Sequence, residues 1–129
     1  MAEDIIDLAD VLERVQDDKE LLLELLDIFQ EDFIIKRKNL EEALAKSDMT
    51  KIKEIAHSMK GASGNISAKR MHATCLELEQ LAKTGSTAGM DVLVKAIDGQ
   101  FEEIKANAVK LKQQFSSWWP SSRGSYQPA

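Results

Sequence analysis

Proline is missing from the first 119 residues of this 129-residue chain. Such a stretch suits long helices and argues against a loop-rich fold. Aromatic residues make up only 5%, too few for an ordinary β-sandwich core. Cys75 is the only cysteine, so no internal disulfide can form and no cysteine cluster can hold zinc. No apolar stretch approaches the ~18 residues that span a bilayer. The acidic N-terminus lacks the basic-then-apolar pattern of a signal peptide, which implies a cytoplasmic protein without membrane insertion. No glycine-rich phosphate loop is present, so the chain should neither bind ATP nor phosphorylate itself. Net basic charge is lacking too: the total is −5, which disfavours nucleic acid as a partner.

Charge is present but unevenly spread. Residues 1–32 carry twelve acids against Arg14 and Lys19, whereas residues 33–70 carry nine bases against four acids. An acidic end and a basic middle suggest a charged partner at the middle, although solvated helix faces give the same pattern.

Hydrophobic spacing predicts five helices. The first covers about residues 4–15, with Ile5, Leu8, Leu12 and Val15 on one side. Asp17 and Glu20 then read as a capping box for a second helix that runs to about Lys46. Its main stripe is Leu22, Leu26, Phe29, Phe33, Leu40 and Leu44; a second stripe is Leu21, Leu25, Ile28 and Ile35. Ser47-Asp48 caps a third helix over about 49–64, and Ser67 caps a fourth over about 68–83. Gly85 ends the fourth in a left-handed conformation. A fifth, about 90–116, repeats apolar residues at threes and fours: Met90, Leu93, Ile97, Phe101, Ile104, Ala108, Leu111 and Phe115. That is the seam of an antiparallel bundle. The fold class is therefore all-α, an antiparallel four-helix bundle with an additional short N-terminal helix, over residues 1–116. Residues 117–129 read as a flexible C-terminal tail, with Trp118 and Trp119 expected to pack back or to touch a partner. Met1 and this tail suggest a complete small protein. A monomer is expected.

The third helix carries the chemistry. With His57 at zero on the helical wheel, Ile52, Ile55, Met59, Ala62 and Ile66 fall at about 140–220°. Lys53, Lys60, Gly61 and Gly64 fall within about 60° of His57. The histidine thus lies opposite the core, among two lysines and two glycines. A lone surface histidine or lysine is ordinary. Gly61 is less so, because glycine inside an exposed helix costs roughly 1 kcal/mol relative to alanine. It is accepted where something must approach the backbone. Gly64 is weaker evidence, because it lies near the helix end, where a glycine also serves the turn. An imidazole is a nucleophile near neutral pH. Lys60 and Lys53 add positive charge for phosphoryl oxygens, and phosphoryl transfer needs mainly positioning and charge stabilisation.

A hairpin of helices three and four about Ile66 would put Cys75 level with His57, and Glu79 one turn beyond. Glu79 can accept a hydrogen bond from one ring nitrogen and leave the other free; spacing alone equally allows a surface acid. His72, without a following Lys-Gly pair, is read as a surface residue. Cys75, Met59, Met71 and Met90 are read as core.

The segment Ala56-His57-Ser58-Met59-Lys60-Gly61-Ala62-Ser63-Gly64-Asn65-Ile66 resembles the signature of histidine-containing phosphotransfer (HPt) domains. Phe29, Asp32, Leu40, Ala43, Asp48, Cys75 and Leu78-Glu79 extend the resemblance along most of the chain. It implies a four-helix bundle with an extra N-terminal helix, and phosphorylation at His57. It also implies receiver-domain partners, in a hybrid histidine kinase and in a response regulator, which carry the aspartyl phosphate and the Mg²⁺; this chain itself needs no cofactor or metal. Members usually have glutamine at the position of Glu79, whereas the related domain of chemotaxis kinases has glutamate. Many have glycine where Ser67 stands, which bears on the turn between helices three and four. Two other functions share the residues: a binding module that sequesters a receiver without transfer, and a domain phosphorylated directly by a kinase.

Overall fold

A computed structural model of the protein describes residues 4–116. The tail assigned to residues 117–129, with Trp118 and Trp119, lies outside the described residues. Five helices follow one another: α1 (Leu8–Arg14), α2 (Lys19–Ala45), α3 (Met49–Asn65), α4 (Lys69–Lys83) and α5 (Met90–Ser116). The four long helices form an antiparallel bundle in which each packs on the next and α5 closes against α2. The expected fold class is the one observed.

Each long helix turns its apolar stripe inward. Leu22, Leu26 and Leu40 of α2, Ile52 and Met59 of α3, Met71 and Leu78 of α4, and Ile97 and Ile104 of α5 are almost wholly buried. Phe33 and Phe101 stack at 4.0 Å where α2 meets α5, with Phe29 tilted beside them. On α5, Val94 is buried and Leu93 only half-buried.

The ends of the helices differ from the sequence reading in instructive ways. The first helix begins at Leu8, not near residue 4, because Asp7 is its cap and accepts a bond from Asp10 N–H. The segment before it is pinned elsewhere: Asp7 N–H donates to the Ser67 carbonyl at 2.9 Å. Its inward face is Val11 and Val15, with Ile5 and Ile6 buried ahead of the helix, while Leu8 and Leu12 are half-buried. The cap of α2 is Asp18, whose carboxylate accepts from Leu21 N–H at 3.0 Å. Asp17 instead takes a left-handed φ of 61° in the α1–α2 turn. Adjacent aspartates are equally good caps, so the pattern cannot choose between them. Asp48 caps α3 as expected, and Gly85 takes φ 76° after α4.

Ser67 does not cap α4. It sits at φ 56°, the left-handed region that favours glycine, and its hydroxyl donates to Asp10 at 2.6 Å. The cap position is Ala68, which offers no side-chain acceptor. The turn thus ties α1 to the α3–α4 hairpin, joined by the Lys69–Asp7 ion pair at 3.0 Å.

Candidate functional site

α3 turns Ile52, Ile55, Ala56 and Met59 into the core, which forces His57 outward; its side chain is 66% exposed. α4 supplies the partner. Glu79 points from that helix toward α3 and is only 8% exposed. Glu79 Oε2 lies 3.0 Å from His57 Nδ1, and Glu79 Oε1 lies 2.9 Å from Lys60 Nζ. The second contact is an ion pair. One carboxylate therefore bridges the histidine and the lysine one turn after it.

The bridge has an electrostatic consequence. The Lys60 ammonium holds the Glu79 carboxyl below its ordinary value of 4.5; burial works against this and the His57 ring adds to it. Ionised at neutral pH, the carboxylate can only accept, so His57 Nδ1 carries the hydrogen and donates. That tautomer leaves the lone pair on Nε2.

The register of the hairpin decides which acid faces the histidine. Its pivot sits near Ala68, midway between 57 and 79, rather than at Ile66. The three-residue turn Ile66–Ala68 lengthens the hairpin on the α4 side. Glu79, not Cys75, is therefore level with His57. Cys75 is fully buried, and burial pushes its thiol up to about 12.

The other expected site residues are placed as follows. Lys53 is half-buried and, among the described residues, makes no hydrogen bond or ion pair with His57, Lys60 or Glu79. A Cβ on Gly61 would meet nothing within 4 Å, so the backbone there faces open space. Gly64 faces inward: a Cβ on it would lie 3.3 Å from His72 Nδ1. His72 is not a plain surface residue; it is half-buried, with Nδ1 3.0 Å from the Lys60 carbonyl oxygen. Sequence reasoning missed it because an interhelical contact to a main-chain oxygen leaves no signal in spacing.

A groove of about 480 Å³ runs between α2 and α3 beside the histidine, bounded by Leu25, Ile28, Asp32, Ser58, Gly61 and Asn65. Ile28, on the wall of this groove, and Ile35, two turns further along α2, are 59% and 62% exposed, so α1 leaves the second stripe largely uncovered. Two larger clefts, about 650 and 630 Å³, follow the α2–α5 seam around Arg37 and Asp98, away from His57. Size therefore does not locate the site; the arrangement of His57, Glu79 and Lys60 does. Among the described residues, no cluster of three or more histidine, cysteine or acidic side chains is placed to hold a metal. No helix among them is long and apolar enough to cross a membrane.

A family model described as the Hpt domain matches residues 24–107, which include all of α3 and α4. The chain belongs to the Hpt domain family. As an Hpt domain it is a histidine phosphocarrier of the phosphorelay type. It is similar to histidine-containing phosphotransfer protein 2 of Arabidopsis thaliana, 24% identical over 110 residues that span 81% of this chain and 69% of that one. Its structure is similar to the crystal structure of histidine-containing phosphotransfer protein B from Pseudomonas aeruginosa PAO1. The TM-score is 0.79 at 27% identity, covering 88% of this chain and 98% of the other. Across this Hpt domain, the left-handed φ of Ser67 explains why glycine suits that position.

Proposed function

We propose that this protein accepts a phosphoryl group on Nε2 of His57 from the aspartyl phosphate of a receiver domain, in a hybrid histidine kinase, and passes it to the aspartate of a response regulator. The observation that carries this reading is the Glu79 carboxylate, 3.0 Å from Nδ1 and 2.9 Å from Nζ of Lys60.

In the forward step the Nε2 lone pair attacks phosphorus. The bond from phosphorus to the aspartyl oxygen breaks, and the receiver's carboxylate leaves with the electron pair. The ring gains a nitrogen–phosphorus bond and positive charge. Glu79, already accepting from Nδ1–H, stabilises that charge without moving a proton. Lys60, one turn beyond His57, adds an ammonium close to the transferring oxygens. Lys53 contributes positive potential one turn earlier. The reverse step, onto the second aspartate, uses the same groups. Mg²⁺ belongs to the receivers, and no cofactor is assigned to this chain.

The bare backbone at Gly61 gives a receiver room to bring its aspartate within bonding distance. The α2–α3 groove with Ile28, and the exposed Ile35 two turns further along α2, offer apolar area for docking. The protein works as a cytoplasmic monomer that alternates between two receivers.

The test is to mix the protein with a phosphorylated receiver domain. Label that is acid-labile and base-stable should appear on this chain, and His57→Gln should take none. Equal labelling of His57→Gln contradicts the proposal. Receiver binding with no transfer would favour the non-transferring module instead.

A further inference from the structure

We infer that His72 is a positioning residue for the phosphoryl-accepting centre, acting through the main chain of α3 at Lys60. The inference rests on the reading of His57 as the acceptor.

α3 is intrinsically weakest just behind the site. Gly61 and Gly64 fall within the four residues after Lys60, and glycine is the poorest helix former after proline. A side chain carried by such a stretch keeps its position only if the main chain is held from outside. Within α3, Ser63 Oγ donates to the carbonyls of Met59, at 2.6 Å, and Lys60, at 3.2 Å. From α4, His72 supplies the tertiary restraint, with Nδ1 3.0 Å from the Lys60 carbonyl oxygen.

A carbonyl only accepts, so His72 Nδ1 carries the hydrogen and the ring donates. A protonated imidazole also carries hydrogen at Nδ1, so the bond survives either charge state. The ring lies close against Gly64: a Cβ placed there would be 3.3 Å from Nδ1 and 3.7 Å from Cε1, so the ring would have to shift by a few tenths of an ångström. Gly64 thereby has a role inside the molecule, unlike Gly61, which faces open space.

Lys60 is thus gripped twice from one helix. His72 holds its carbonyl, and Glu79 pairs with its ammonium. Two turns of α4 separate the two grips, which makes α4 a template for the Lys60 position. Glu79 in turn aims His57. Loss of the His72 bond should let the softened turn of α3 drift and relax the whole set.

The experiment compares the full chain with His72→Leu, His72→Asn and Gly64→Ala. Asparagine can present an N–H close to where Nδ1 lies; leucine fills space without a donor. Three readouts are needed: transfer from a phosphorylated receiver domain, amide hydrogen exchange at residues 61–64, and the NMR signal of the His57 Nδ1 hydrogen. In His72→Leu, transfer should fall by about tenfold, as for a small misplacement of reacting groups. Exchange at 61–64 should speed up, and the Nδ1 hydrogen signal should broaden. His72→Asn should restore most of all three. Gly64→Ala should reproduce the leucine result in weaker form, and it decides the matter if His72→Leu does not fold. Wild-type transfer and exchange in both His72→Leu and Gly64→Ala would overturn the inference, as would equal impairment in His72→Leu and His72→Asn, which would mean packing alone. Should wild-type protein take no phosphoryl group, the reading of His57 as acceptor fails, while exchange and the His57 signal still report on His72.

Discussion

The side chain of His57 is oriented by a neighbour 22 positions along the chain, and the proposed reactivity of the ring depends on that contact. Glu79 selects the Nδ1–H tautomer, and its own ionisation is secured by Lys60 before His57 contributes. Glutamine at this position can still accept from Nδ1–H but carries no charge for the ring or for Lys60. Glu79→Gln should therefore keep labelling at His57 while slowing transfer by about 10–100-fold, measured by quench-flow against a phosphorylated receiver. The same residue sets an acid limit. Because its folded pKa lies below 4.5, ionised Glu79 contributes stability above that value and loses it as pH falls through the folded pKa. Urea titrations should show wild type more stable than Glu79→Gln at pH 7, with the gap closing as pH falls below 4.5 and through the lowered folded pKa. The helical wheel made His57, Lys60 and Gly61 legible in the sequence, since all three lie on one face of one helix. Glu79 was legible only as one of two options, because its partner lies across a hairpin whose turn length spacing does not fix. His72 was not legible, for its partner is a main-chain oxygen.

Stability and function pull apart along α3. An alanine methyl at Gly61 would touch nothing, so Gly61→Ala should stabilise the fold by up to about 1 kcal/mol in urea denaturation. If a receiver must approach that backbone, the same variant should transfer more slowly, and a larger Gly61→Leu more slowly still. Caps make a second contrast. Asp18→Ala should cost about 1 kcal/mol, because Asp18 accepts the Leu21 N–H, whereas Asp17→Ala removes no cap and should cost less. Thermal melts of the two variants test this directly. The number of long helices and their inward faces were legible because apolar spacing is strict over many turns. Their ends were less so: adjacent aspartates compete as caps, and Ser67 spends its hydroxyl on Asp10 in another helix rather than on its own.

Seen whole, the molecule neutralises much of the charge asymmetry that its sequence displays. Lys36, Arg37, Lys60, Lys69 and Arg70 of the basic middle all pair with acids, and Lys69 reaches back to Asp7 in the acidic N-terminal segment. The basic stretch is therefore a weaker lure for an acidic partner than its count of lysines and arginines implies. Apolar area beside His57 is the more informative feature. Ile28→Lys and Ile35→Lys should leave the melting temperature unchanged, since both side chains are exposed, and weaken receiver binding by about tenfold each in calorimetry. The proposed chemistry turns on one atom, Nε2 of His57. The most direct measurement is therefore nitrogen and phosphorus NMR of the protein after incubation with a phosphorylated receiver domain. A single phosphoryl group should appear on Nε2 of His57, with Nδ1 still carrying its hydrogen toward Glu79. A phosphoryl group on Nδ1, or on His72 instead, would contradict it.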